Sequence, residues 1–218
     1  MATIYSTATD DGWVYRQSTT SWSDARDTAN GHGHGRTVKK NSSAIVAGRL
    51  SARGGGYSWR VYRSFFLFDT SGISEAPSSA TLKVYGFSRG NADFFAVQSN
   101  HSLEFTVGDY DAIEGWSASG VDNESNVTKY SSEITSWSTS GYNDITLNST
   151  ALSHMASQDN FKICLIESIH DLRNVSPTDY WDTGLYYSDT SGTSYDPYID
   201  YTVATAVTDN ATFFGCNF

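Results

Sequence analysis

The sequence predicts an all-β fold, a jelly-roll-like antiparallel β-sandwich with one or two short helices. Composition is the first reason. Aromatic residues make up 14% of the 218 residues and charged residues only 17%. Tyr, Phe, Trp and Thr suit a pleated, half-buried surface. The second reason is the recurrence of short apolar or alternating runs between turn signals. The third is that good helix formers never concentrate over a long window. Many short strands with little helix make a sandwich or barrel of Greek-key type. The length fits one domain. We place the sandwich at residues 1–203 and a separate tail at 204–218.

The elements follow in order. "TIYST" and "GWVYR" open the chain as strands. "SWSDARDTAN" has helical character, with Ser23 as its expected N-cap. "GHGHG" at 31–35 reads as a flexible glycine loop, and "SAIVAGRL" as a strand. "YSWRVYRSFFLFD" is the longest strand candidate. "SSATLKVYGF" alternates, with Ala80, Leu82 and Val84 on one face and Thr81, Lys83 and Tyr85 on the other. "DFFAVQS" is expected to pair with it. Residues 106–142 read as a long loop with a helical turn near Tyr110. "NDITLN" is a strand, after which Asn148 can cap a short helix over "STALSHMA". "FKICLIE" is apolar on both sides and is expected to be central. "GLYYSD" and "PYIDYTV" close the domain. Pro197 lacks an N–H and belongs at a strand start or an edge.

Phe65, Phe66, Leu67 and Phe68 break the alternation of a strand with one wet face. Ser64, Phe66 and Phe68 share one parity, the face that one sandwich layer can bury. Phe65 and Leu67 share the other with Arg63 and need cover. A crossing loop, the short helix at 149–156 or a neighbouring subunit would supply it. Burying both is worth roughly 3–5 kcal/mol. We assign Phe65 and Leu67 to partner docking, together with Phe213, Phe214 and Phe218 of the tail. Bare phenylalanines on a polar segment call for a partner groove.

The net charge of −10 argues against nucleic acid and against anionic membrane surfaces. No apolar run reaches the ~20 residues of a membrane span. The opening "MATIYSTATDDGW" has neither a basic n-region nor an apolar h-region, so no signal peptide is expected. Cys164 reads as a small buried hydrophobe. A bridge to Cys216 lacks any supporting cysteine framework.

Chemistry-bearing candidates are few. His32 and His34 could chelate, but zinc needs three or four ligands. Asp109, Asp111 and Glu114 form a weak calcium candidate with no complete EF-hand spacing. The bland reading is a turn whose carboxylates cap local N–H groups. No segment singles out a pair of acids for glycoside hydrolysis, and no Gly-x-Ser-x-Gly elbow accompanies His170 and Asp171. We expect no catalytic residue, no cofactor and no resident metal. Six tryptophans and 14 tyrosines invite a sugar-binding reading. Trp116, Trp137 and Trp181, in or near loops, are the candidate glycan contacts. Plugging the ends of the sandwich is the alternative.

"DGWVYR", "YRSFFLFDTSGI", "SSATLKVYGF", "YNDITLNSTALSHM", "NFKICLIESIHDLRN" and "GLYYSDTSGTSYDPYIDYTV" occur in a telling order. Together they resemble the DNRLRE-type β-sandwich domain, a relative of carbohydrate-binding modules. Its most specific parts are the strand holding Arg63, Phe66, Phe68 and Asp69 and the closing strand at 195–202. The resemblance covers roughly residues 2–203. It implies a non-catalytic jelly roll whose relatives bind polysaccharide or serve as adhesive and structural parts, many of them in phage. With no signal expected and a private tail, the chain reads as a virion structural protein: a capsid decoration, tail appendage or fibre component. That reading implies synthesis in the host cytoplasm, display on the virion exterior, other virion proteins as partners and a homo-oligomer, with a trimer favoured. The alternative is an extracellular carbohydrate-binding or adhesion module.

Overall fold

A computed structural model describes residues 1–6, 11–35, 45–51, 55–104, 106–188 and 194–204. Its strands are β1 (Ala2–Tyr5), β2 (Gly12–Ser18), β3 (Gly33–Gly35), β4 (Ile45–Ser51), β5 (Tyr57–Asp69), β6 (Ser79–Gly90), β7 (Phe94–Gln98), β8 (Tyr142–Thr146), β9 (Asn160–Glu167), β10 (Tyr180–Leu185) and β11 (Tyr198–Thr202). Two α-helices, α1 (Trp22–Arg26) and α2 (Ser149–Ser157), interrupt them. The fold is the expected all-β sandwich, and its strand ladders are antiparallel.

One layer runs β1-β11-β6-β8. The other is built on β5. β2 pairs along one edge of β5 and carries β3. β4 and then β9 follow each other along the opposite edge. β7 lies outside β9, which is therefore internal as its apolar sequence required. The far half of β6 pairs with β10, which pairs with β4, so the layers join.

Several expectations need correction. β7 pairs with β9 and not with β6, whose two edges are taken by β11 and β8. Residues 33–35 are a short strand against β2, not a free loop. The strand expected at 184–189 begins earlier, at Tyr180. Ser21, not Ser23, caps α1: its hydroxyl accepts from the Asp24 N–H at 3.1 Å, while Ser23 lies inside the helix. Asn148 caps α2 as expected, accepting from the Ala151 N–H at 3.1 Å. Pro197 directly precedes β11.

Between the layers lies the main core. Phe66 and Phe68 meet Leu82 and Val84 of β6, Ile145 of β8 and Ile199 of β11. α2 packs Ala151 and Met155 on this core. A second core lies on the other side of β5, β9 and β7. Here Phe65, Val97, Cys164 and Ile166 are covered by Trp22 and Ala25 of α1 and by Tyr110, Ile113 and Val127 of the long loop. Phe65 is 0% exposed and Leu67 3%. Their cover comes from their own chain, so the docking role assigned to them is withdrawn. For Phe65 the cover is α1 and the loop after β7, not α2.

This second core is not purely apolar. Arg63 and Arg26 are fully buried in it, as is Asp171. Arg63 also donates to the Tyr110 carbonyl at 2.8 Å. The Trp116 ring lies under both guanidinium groups, at 4.1 Å from Arg63 and 4.6 Å from Arg26. Burial alone would lower the Arg63 pKa; the Asp171 carboxylate outweighs it and the net shift is upward.

Candidate functional site

The main core ends where the β1-β11-β6-β8 layer ends, but the other layer continues. Residues directly opposite in a ladder share a side. Trp13 faces Gly35 and Ser64; Tyr15 faces Gly33 and Tyr62; Gln17 faces Arg60. Gly48 faces Arg60 and Tyr180. All of these therefore lie on the side that carries Phe66 and Phe68. Phe66 and Phe68 are fully buried, whereas Trp13, Tyr15, Arg60, Tyr62 and Tyr180 are half-buried.

Glycine makes this face flat. A Cβ on Gly33 would lie 2.7 Å from the Tyr15 ring, and one on Gly35 2.4 Å from the Trp13 ring. A Cβ on Gly48 would meet Tyr180 at 2.4 Å. Each ring thus lies over a neighbouring strand that has no side chain at that position. Tyr15 and Tyr62 are nearly parallel, 19° apart with centroids at 5.0 Å, and Trp13 stands 5.6 Å from Tyr62. Burial raises the Tyr62 phenol, and the nearby Arg60 charge offsets part of that rise. The Arg60 Nε and Trp13 Nε1 are buried without a hydrogen-bond partner. Aromatic rings beside the half-buried Arg60 and Gln17 side chains suit a ligand with apolar C–H faces and hydroxyl groups.

A second aromatic surface crosses the outer side of β1-β11-β6-β8. Tyr5, Tyr198, Tyr142, Tyr85 and Tyr186 follow one another at 5.4, 5.0, 5.3 and 5.6 Å. Most of these contacts are edge-on, at 69°, 80° and 79°, so the row forms a ridge.

The expected glycan contacts do not share a surface. Trp116 belongs to the second core. Trp137 meets Phe94 edge-on at 5.2 Å and donates to the Gly184 carbonyl. Trp181 lies opposite Ala47 on the second-core side and meets His170 at 5.7 Å. The calcium candidates are not gathered either. Asp109 accepts from the backbone N–H groups of Ser102 and Thr106, both at 2.7 Å, in a capping box. Glu114 takes the Asn100 side chain instead. Among the described residues no group of three His, Cys, Asp or Glu is placed to hold a metal. His34 sits in β3, and the His32 Nδ1 accepts from the Gln17 N–H. Phe213, Phe214, Phe218 and Cys216 lie outside the described residues.

The flat face was missed because it needs a register that no single segment reveals. A signal was present, however. Trp13-x-Tyr15 alternates with the same period as the glycines of "GHGHG", and aromatic rings pair with glycine across strands. No helix among the described residues is long and apolar enough to cross a membrane. No family model matches the chain, and no curated protein matches it.

Proposed function

We propose that this protein is a non-enzymatic structural and adhesive β-sandwich that meets polysaccharide on the face formed by Trp13, Tyr15, Tyr62 and Tyr180. The observation that carries the reading is the glycine floor under three of these rings. It gives the rings room to lean over the neighbouring strands at a half-exposed surface, while Arg60 and Gln17 supply hydrogen bonds. Rigid aromatic side chains give large contact area at low entropic cost. The setting proposed is the exterior of a phage-like particle, among other virion proteins and as a homo-oligomer, which the resemblance of the sequence implies. The alternative setting, an extracellular adhesion module, uses the same face. A glycan array with wild type and Tyr62→Ala tests the binding reading: signal on wild type that falls on the variant supports it, and no signal on wild type sinks it. Mass spectrometry of purified particles tests the setting, with stoichiometric incorporation expected.

A further inference from the structure

A cavity of about 450 Å³ opens on the side of the sandwich, between β8 and residues 131–136. This is the size of a small-ligand pocket. The register shows which backbone groups reach it. The Leu147 N–H donates to Ala80 at 3.0 Å and the Gly86 N–H to Gly141 at 3.1 Å. Bonded pairs alternate along an antiparallel ladder. Asn143 and Ile145 therefore bond to β6, and the N–H and C=O groups of Tyr142, Asp144 and Thr146 point away from it, towards the cavity.

Asparagines close both ends. At one end the Asn148 N–H donates to the Tyr130 carbonyl and its side-chain amide to the Lys129 carbonyl, both at 2.8 Å. At the other, Asn143 accepts from the Ser138 N–H at 2.6 Å and donates to the Ser138 carbonyl at 3.0 Å. The cavity is thus a closed bowl. An added strand cannot thread it, but a compact ligand can sit in it.

The lining sets the ligand's chemistry. Ser132, Ser136 and Thr146 contribute hydroxyls, and the half-buried Ile134 contributes apolar surface, while Ile145 and Leu147 line the bowl with backbone because their side chains are buried in the main core. Both carboxylates at the bowl already hold cations: Asp144 binds Lys83 at 2.7 Å, and Glu133 binds Arg173 at 3.3 Å. Hydroxyls both donate and accept, and compensated charges do not select an ion. We infer that the bowl is a binding site for one unit of a neutral saccharide. The inference deepens the polysaccharide reading by naming a second contact with its own ligand class, but its geometry is independent of the flat face.

The test is a titration of the full chain followed residue by residue in amide NMR spectra. The probes are glucose, galactose, mannose and N-acetylglucosamine, with glucuronate and glucosamine as charged controls. At least one neutral sugar should shift amides within 131–136 and 142–148, and the charged analogues should bind about tenfold more weakly, a difference of about 1.4 kcal/mol. Ser132→Trp fills the bowl from an exposed position and should weaken binding about tenfold as well. Should that variant misfold, Ser136→Val serves the same end. Absence of shifts in these segments with every neutral sugar overturns the site, as does equal binding by the bowl-filling variant or preference for a charged analogue. Shifts confined to Trp13, Tyr15 and Tyr62 refute the bowl and leave the proposed function standing. Shifts confined to the bowl do the reverse.

Discussion

The Arg63 guanidinium grips the Asp171 carboxylate with two bonds, Nε to Oδ2 at 2.8 Å and Nη2 to Oδ1 at 2.7 Å, and neither side chain is exposed. Breaking a buried pair leaves an uncompensated charge, which costs about 3–5 kcal/mol. Asp171→Asn and Arg63→Met should each lower stability by about that much in urea unfolding. The double change Arg63→Met with Asp171→Asn should cost clearly less than the sum. Additive losses would mean that the two residues act separately.

Phe65 fills the second core under Tyr110 and Ile113. Phe65→Ala should cost about 3–5 kcal/mol. Because the cover is intramolecular, sedimentation should find the same oligomeric state in variant and wild type. A change of state without loss of stability would restore the docking role.

Asp11 links the start of β2 to the segment after β10. Its Oδ2 accepts from the Ser6 hydroxyl at 2.9 Å and the Ser188 N–H at 2.7 Å, while Oδ1 is buried without a partner. Burial pushes its pKa up from 3.8 to about 7, against those hydrogen bonds. Between these values the native state holds a proton that the unfolded state has released. The stability contribution is therefore full below pH 3.8 and is lost as pH rises through about 7. Asp11→Asn should flatten this dependence and gain relative to wild type above pH 7. Urea midpoints from pH 4 to 8 check it; parallel curves would show that Asp11 does not titrate there.

Asn148 caps α2 and ties the loop to β8 through Lys129. Asn148→Ala should cost about 1 kcal/mol for the cap alone. Asn148→Asp keeps the acceptor and loses the amide donor, so it should recover only part of that loss in thermal melts.

Alternation and turn residues made most strands legible. Ala80, Leu82 and Val84 read directly as one face of β6, and Asn148 as a cap. The consecutive run Phe65 to Phe68 also signalled a strand buried on both sides. Its cover was not legible, because Arg63 and Asp171 are 108 positions apart and nothing local pairs them. For the same reason Trp116 looked like a loop residue available to ligand, whereas it is the ring beneath two buried arginines. The flat face escaped because Trp13, Tyr62 and Tyr180 come from three strands whose order the sequence does not fix.

The most direct measurement compares polysaccharide retardation of wild type with Tyr15→Ala and Tyr62→Ala by affinity electrophoresis. The account predicts retardation of the folded wild type and roughly a two- to tenfold weaker effect in each variant, since stacking lost from one ring is worth about 0.5–1.5 kcal/mol. Equal retardation of all three proteins, or none for the wild type on any polysaccharide, would contradict it.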